Sequence, residues 1–190
     1  FYLQKKVQDL QSYKNYADNY FCSLIPGSPT FSTKYTSGGL LFKQNECNMQ
    51  YVTNTAFLLV TYAKYLQGSG ESVSCGLHGF AAKDLIFLAK KQVDYISGDN
   101  PAKMSYMVGF GEKYPQRVHH RGSSIPSTRQ QPRSSNPNVL VGAIMGGPDQ
   151  GNNFSDDRNN HEQSEPATYF NAPFVGVVAY FVGSLSTTTS

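Results

Sequence analysis

Residues 48–66 read NMQYVTNTAFLLVTYAKYL, and this stretch sets the architecture that the sequence predicts. Its apolar side chains return every three or four positions, which places them on one face of a helix. The members of this apolar stripe are Met49, Val52, Ala56, Val60 and Ala63. The predicted helix runs from about Asn48 to Leu66, because Gly68 and Gly70 follow it and glycine commonly ends helices.

The same periodicity predicts helices on both sides of this stretch. The first runs from Tyr2 to Leu24, with Tyr13, Ala17 and Tyr20 on its inward face. Another helix is predicted from about Phe80 to Ile96, and the last from about Pro173 to Leu185. The polar, Gly-rich segment between Ile25 and Asn48 is expected to be a long surface loop.

More than sixty residues after Gly98 lack a helical pattern and are dense in Gly, Pro, Ser, Arg and Asn. This segment contains three of the four His and a cluster of carboxylates. Loops of such length inside a compact domain are usually functional when they are not disordered. Helices joined by loops with reactive side chains favour an all-α fold, either a bundle or a helical toroid with a cleft at one end.

Composition excludes two classes of function. The chain has 190 residues, enough for one domain with a real core, and only 15% of them are charged. The net charge of +3 is dispersed, whereas nucleic-acid binding requires a clustered basic surface. The longest apolar stretch, Phe174 to Gly183, is about half of what a bilayer span requires, so no membrane segment is predicted.

The three cysteines are Cys22, Cys47 and Cys75, and their spacing is not that of metal ligands, so no metal site is predicted. A disulfide between Cys22 and Cys75 is one interpretation. It would suit a secreted protein, as would the glycosylation sequon at residues 153–155. Buried free thiols are the alternative, and the sequence leaves both open.

Four carboxylates, Asp156, Asp157, Glu162 and Glu165, fall within ten positions. Glycoside hydrolysis needs two carboxyl groups, one that protonates the leaving oxygen and one that activates water or attacks the sugar. The alternative is a solvated acidic turn. A general acid must also be partly buried and close to other carboxylates, so that it keeps its proton.

The backbone at Glu165 has two interpretations. If Pro166 begins a helix, Glu165 is its N-cap, where the helix dipole favours the charged carboxylate. If the helix begins at Pro173 instead, Glu165 lies on a loop.

His119 and Arg121 are two residues apart, so on an extended segment their side chains face the same way. Both can donate hydrogen bonds to the hydroxyls of a polar ligand, although a purely structural His is the alternative. Because the chain has no Trp, stacking on a sugar falls to Tyr and Phe. Tyr106, Tyr114 and Tyr169 are available for this, with core packing as the alternative for each and the favoured role for Phe170.

Two long runs resemble the signatures of a known family. Residues 105–113 read SYMVGFGEK and are followed by VHHR at 118–121, while residues 154–172 read FSDDRNNHEQSEPATYFNA. Shorter motifs agree with them: GGLLF at 38–42, QYVT at 50–53, DNP at 99–101 and GGPDQ at 146–150. Together they resemble the glycoside hydrolase family 9 cellulases, most closely the plant endo-β-1,4-glucanases, over nearly the whole chain.

This resemblance implies part of an (α/α)6 toroid that hydrolyses internal β-1,4-glucosidic bonds of cellulose or related cell-wall glucans with inversion. It implies that Glu165 is the general acid and that His119 and Arg121 hold the sugar. Asp156 would support the site together with Arg158. The predicted catalytic residues are Glu165, Asp156 and His119, and the predicted sugar-binding residues are Arg121, Arg158, Tyr106 and Tyr169.

The chain departs from the family pattern in three places. The family's base belongs to an Asp-Ala-Gly-Asp type motif that is absent from these residues, so 1–190 is interpreted as the C-terminal part of one catalytic domain. His161 replaces an aromatic residue, usually Tyr. The connection between Pro126 and Asn136 is shorter than in plant relatives, which alters a loop near the cleft.

We therefore expect a secreted endoglucanase that acts on a β-1,4-glucan in the cell wall without a cofactor. The chain on its own is expected to be inactive and poorly soluble, because half a toroid leaves apolar helix faces in water. The alternative is a non-catalytic glucan-binding or scaffold protein that retains the face formed by His119 and Arg121.

Overall fold

The computed structural model describes residues 11–119 and 134–186, with side chains to 183. Within these ranges the chain is mostly helical, as predicted. The helices are α1 (Gln11–Leu24), α2 (Met49–Ser69), α3 (Ala82–Ser97), α4 (His161–Ser164) and α5 (Thr168–Ser186). The strands are β1 (Lys34–Tyr35), β2 (Leu41–Phe42), β3 (Val73–Cys75) and β4 (His78–Phe80), which form two antiparallel hairpins, β1–β2 and β3–β4.

Helix α2 is the centre of the core and packs against both α3 and α5. All five residues of its predicted apolar stripe are buried, so this prediction is confirmed. The helix continues to Ser69, three residues past the predicted end. It stops at Gly70, which has a left-handed φ of 69° and donates its N–H to the carbonyl of Leu66.

Helices α3 and α5 differ from their predicted bounds for identifiable reasons. Helix α3 begins two residues late because Phe80 pairs in β4, and its start is fixed by the N–H of Ala81, which donates to Asp84 Oδ2 at 2.8 Å. Helix α5 begins at Thr168, five residues before Pro173. Asn171 anchors this first turn, because its Oδ1 accepts the N–H of Ile144 at 3.2 Å.

The segment from Ile25 to Asn48 is not the surface loop that the sequence predicts, because residues 40–42 are buried within it. Gln92 on α3 explains the difference. Its buried amide accepts the N–H of Leu41 at 2.8 Å and donates to the carbonyl of Gly39 at 3.1 Å. A side chain 51 residues from Leu41 in the sequence thus serves as a hydrogen-bonding partner for the β1–β2 hairpin.

A disulfide joins Cys22 on α1 to Cys75 on β3, with their Cα atoms 5.6 Å apart. Of the two interpretations that the sequence left open, the structure has the bridge. Cys47 remains a free, buried thiol. The bridge fixes α1 against the β3–β4 hairpin. The sequence analysis did not predict this hairpin.

The predicted inward face of helix α1 is confirmed only in part: Leu24 is buried and Ala17 packs against the core, but Tyr20 is 42% exposed, and residues 2–10 of the predicted helix lie outside the described ranges. Lys14 and Asp18 point inward, with 6% and 4% of their side chains exposed, whereas Tyr13 is 68% exposed. The Asp18 carboxylate accepts three donors: Lys14 Nζ at 2.6 Å, the Tyr62 hydroxyl at 2.6 Å and the Ser74 N–H at 3.1 Å. This polar cluster ties α1 to α2 and β3, and periodicity of apolar residues alone does not predict it.

Within the described part of the chain, no helix has both the length and the apolarity that a membrane span requires.

Replacing Asp18 by Ala is expected to lower the free energy of unfolding of the complete protein by about 3 kcal/mol, because it leaves a buried ammonium without its counter-charge. Asp94→Ala is the matched control. It removes the i,i+4 pair Lys90–Asp94, whose side chains are 59% and 36% exposed, and should cost less than about 1 kcal/mol. Urea denaturation measures both losses, and equal losses would contradict the prediction.

Candidate active site

Glu165 lies on the short connection between α4 and α5. Its backbone is extended, with φ −83° and ψ 121°, and its N–H donates to the carbonyl of His161 at 3.1 Å. Because α5 begins only at Thr168, Glu165 is not the N-cap of that helix. The interpretation that Glu165 lies on a loop is therefore the one that holds, although the helix does not start at Pro173.

The last three carbonyls of α4 receive backbone N–H groups from three separate segments of the chain. The Glu162 carbonyl accepts from Cys47 at 2.8 Å, that of Gln163 from Gly147 at 3.2 Å, and that of Ser164 from His119 at 3.0 Å. Three distant segments thus meet at α4 directly before Glu165, and one of them contains His119, a predicted site residue.

His119 lies beside the chain that leads into Glu165, so the structure brings these two predicted residues together. Its N–H is bound to the residue before Glu165, and its Nδ1 lies 2.7 Å from the carbonyl oxygen of Arg158. A carbonyl only accepts, so Nδ1 is the protonated nitrogen of this contact and Nε2 is the nitrogen directed elsewhere. The imidazole is thereby fixed in orientation.

His161 places a second imidazole next to the first. The ring centroids of His119 and His161 are 5.8 Å apart, with the ring planes tilted by 52°. His161 is exposed, so the residue that departs from the family pattern lies on the accessible side of α4.

Asp156 supports the segment that leads to His119. Its Oδ2 accepts the N–H of Gln116 at 2.9 Å, and its Oδ1 accepts the N–H of Arg117, also at 2.9 Å. Arg117 Nη1 donates to the Asp156 carbonyl at 2.7 Å. The arginine bound to Asp156 is therefore Arg117. The Asp156 carboxylate binds main-chain N–H groups and so holds the backbone at 116 and 117.

Arg158 is only 8% exposed. Its Nη2 donates to the carbonyl of Ser134 at 3.1 Å and to Oδ1 of Asn136. This guanidinium holds the loop at 134–136, and its burial does not fit the predicted direct contact with a sugar. Arg158 contributes instead through its carbonyl, which orients His119. Arg121, the other predicted sugar-binding arginine, lies outside the described residues.

Tyr106 is a core residue, so the prediction that it stacks on a sugar is wrong. Its ring has no exposed surface, is stacked on Tyr95 at 6.0 Å between centroids, and meets the edge of Phe154 at 5.3 Å. Burial raises the pKa of the Tyr106 hydroxyl far above its ordinary value. The backbone explains this position, because the Tyr106 N–H binds the Ile96 carbonyl at the end of α3.

Tyr169 is 54% exposed and stands edge-on to the fully buried Phe170, with ring centroids 4.7 Å apart. Partial burial, followed by the charges of Cys47 and Glu165, raises the pKa of its hydroxyl. Tyr169 is thus an accessible aromatic ring in the electrostatic range of Glu165, whereas Phe170 has the predicted core role.

Cys47 is a site residue that the sequence analysis did not assign. Burial, together with the charges of Glu165, Glu46 and Glu162, raises the pKa of its thiol to about 11. The thiol is therefore protonated at neutral pH. The sequence does not indicate that Cys47 lies among carboxylates. Only Glu46 is next to it, and Glu162 and Glu165 are more than a hundred residues away.

A polar cleft of about 470 Å³ lies beside α4. It is lined by Asn45, Asp149, Asn153, Phe154, Ser155, Asn160, Glu162 and Gln163. A larger cleft of about 890 Å³ runs along α3. Neither cleft is lined by a predicted site residue of the described ranges, but the smaller one includes Glu162 and Gln163, whose carbonyls bind the segments that meet before Glu165. We assign the candidate site to α4, where the titratable groups converge. No group of three His, Cys, Asp or Glu suited to a metal ion occurs among the residues with described positions.

Comparison with known proteins identifies the family of the chain. The family model described as Glycosyl hydrolase family 9 matches residues 2–178. Endoglucanase 1 of Persea americana is 59% identical over 96% of this chain, and Endoglucanase 17 of Arabidopsis thaliana is 53% identical over 95%. The chain spans 40% and 38% of the length of these two relatives.

A solved structure of endoglucanase CelQ from Clostridium thermocellum, complexed with cellotetraose, aligns with 95% of this chain and 28% of its own, at a TM-score of 0.77 and 28% identity. The family model covers most of the chain, and two relatives share more than half of its residues. The chain therefore belongs to glycosyl hydrolase family 9.

Proposed function

We propose that this chain is the acid-bearing part of an endoglucanase that cleaves internal β-1,4-glucosidic bonds in cellulose or a related cell-wall glucan. Its relatives are endoglucanases, and the CelQ structure contains cellotetraose. The observation that carries the proposal is the backbone bond between His119 and Ser164, which ties an oriented imidazole to the residue before Glu165.

In the proposed reaction, Glu165 donates its proton to the oxygen that bridges two glucose units. The bond between that oxygen and the anomeric carbon breaks, while a water attacks from the opposite face and loses its proton to a second carboxylate. Inverting enzymes place the two carboxyl groups about 6.5–9.5 Å apart, which leaves room for this water. The second carboxylate is proposed to be an Asp in the upstream part of the domain.

The remaining residues are assigned to holding the sugar in this reaction. Nε2 of His119 accepts a hydrogen bond from a sugar hydroxyl, and the guanidinium of Arg121 donates to the hydroxyls. Tyr169 offers an exposed ring for stacking on its apolar face. Asp156 fixes the main chain at 116 and 117, and so maintains the approach to His119.

The complete domain is proposed to be an (α/α)6 toroid, of which residues 1–190 form the C-terminal part, in a secreted protein of the cell wall. Large apolar side chains are exposed on α2, α3 and α5: Phe57, Leu58, Tyr65, Phe87, Val175 and Val182. Burying such a surface on further helices would stabilise the fold by about 25 cal/mol per Å² of apolar area.

Glu165→Gln in the complete enzyme is expected to lower kcat on soluble cellulose by about 100- to 10,000-fold, because general acid catalysis typically contributes that much. KM should change little, since the amide retains the shape of the side chain. Glu71→Gln is the control: it makes the same change at a glutamate that is far from Glu165 in the sequence, and it should retain normal turnover. Near-normal kcat for Glu165→Gln would remove the acid assignment. Retained glucan binding with no hydrolysis by the unaltered enzyme would favour a binding protein.

Residues 1–190 expressed alone are expected to release no reducing sugar from soluble cellulose, because the base is proposed to lie upstream. Co-expression with the upstream part of the domain should restore hydrolysis, and a reducing-end assay measures both preparations. Hydrolysis by the isolated chain that disappears in its Glu165→Gln variant would show that the chain contains its own base, contrary to the proposal.

A further inference from the structure

Among the described glycines, Gly146 is the one at which an added Cβ would lie closest to a main-chain atom. A Cβ built on it would lie 2.4 Å from the carbonyl oxygen of Glu162 and 3.1 Å from that of Gln163. Separations below 3.0 Å do not occur for real Cβ atoms, and here the obstacle is backbone and not the end of a flexible side chain. Only glycine therefore fits at 146 while α4 stays in place.

Helix α4 depends on such neighbours because it cannot satisfy its own carbonyls. In a continuous helix the Glu162 carbonyl would accept the N–H of residue 166, but Pro166 has none. The extended backbone at Glu165 also removes the next two helical donors from reach of Gln163 and Ser164. The N–H groups of Cys47, Gly147 and His119 replace all three donors.

The segment at 146 and 147 also connects α4 to the central helix. The carbonyl of Gly146 accepts the N–H of Met49, the first residue of α2, at 3.0 Å, while the N–H of Gly147 donates to Gln163. The two glycines thus lie between the start of α2 and the backbone that leads into Glu165. Through these two bonds, the position of α2 determines the position of the backbone before Glu165.

We infer that Gly146 is a positioning residue for Glu165: its missing side chain lets the 146–147 segment press against α4, and this contact sets where the carboxyl group stands relative to His119. The inference rests on the proposed role of Glu165 as the general acid. Gly146 itself touches neither substrate nor the reacting atoms.

A methyl group at 146 forces α4 to move. Increasing the contact with the Glu162 carbonyl from 2.4 Å to the 3.0 Å limit requires about 0.6 Å of displacement. His119 is bound to the Ser164 carbonyl, so this displacement strains or breaks the bond that couples the imidazole to the acid. Misplacement of a catalytic group by about 1 Å can cost about 100-fold in rate.

The test uses Gly146→Ala in the complete enzyme, with Gly68→Ala as the matched control. Gly68 is an exposed glycine in α2, and a Cβ there meets nothing within 4 Å. On cellotetraose, Gly146→Ala should lower kcat by about 10- to 100-fold and change KM by less than about threefold. Gly68→Ala should retain normal kinetics. Normal kcat for folded Gly146→Ala would overturn the inference.

A second substrate separates misplacement of the acid from general damage. In a dinitrophenyl β-cellotrioside, the dinitrophenolate leaving group departs without being protonated, so hydrolysis of this substrate does not need a well-placed acid. The loss in kcat for Gly146→Ala should therefore shrink to less than about threefold on this substrate, as it should for Glu165→Gln. Equal losses on both substrates would indicate ordinary structural damage and would overturn the positioning role.

The same set of variants distinguishes failure of the inference from failure of the proposed function. Normal turnover of cellotetraose by Glu165→Gln would remove the acid itself. An inactive Glu165→Gln beside a fully active Gly146→Ala would remove only the positioning role.

Amide hydrogen exchange in the unaltered enzyme covers the case in which Gly146→Ala does not fold. The N–H groups of Cys47, Gly147 and His119 should be protected to a similar degree, because all three are bound to α4. Exchange of any one of them at the rate of an exposed amide would overturn the inference.

Discussion

The candidate site depends on the hydrogen bonds that the last three carbonyls of α4 accept from distant segments of the chain. A helix of four residues is too short to be stable by itself, because helix formation requires a costly nucleus. Pro166 removes one internal donor, and the turn into an extended Glu165 removes two more. Backbone donors from three distant segments take their place, so the conformation of Glu165 is a property of the tertiary fold. The site exists only when α2, the 146–147 segment and the His119 segment are all in position.

The helical part of the fold was predictable because its signal is local. An apolar stripe with helical spacing reports burial within a window of about 11–18 residues, and α2 and α3 follow it closely. Errors arose where a distant group decides the local structure. Gln92 holds β2, which falls in a predicted surface loop, in the core, and Asp18 with Lys14 draws the polar face of α1 inward. Asn171 anchors α5 five residues ahead of Pro173, although a proline normally suggests a helix start.

The candidate site was only partly predictable. The resemblance in the runs around His119 and Glu165 selected two residues that the structure brings to one place. It did not reveal which polar side chains are free to bind substrate and which bind the backbone, because that depends on the direction and burial of each side chain. Asp156 binds main-chain N–H groups, and Tyr106 fills the core, although both belong to the same motifs. Cys47 illustrates the converse, because the bond from its N–H to the Glu162 carbonyl joins two segments that lie far apart in the sequence.

Amide side chains keep the long connection between α3 and α5 in place. Few backbone groups between α3 and α5 belong to regular elements, yet buried polar groups must be paired. Amide side chains supply the partners: Asn100 donates to the carbonyls of Tyr95 and Met104, both at 2.7 Å, and Gln163 binds the N–H of Ser155 and the carbonyl of Asn153. A neutral amide offers both donor and acceptor at far lower desolvation cost than a charged group. In the part of this connection that the structure describes, amide side chains therefore provide rigidity that strands and helices provide elsewhere in the fold.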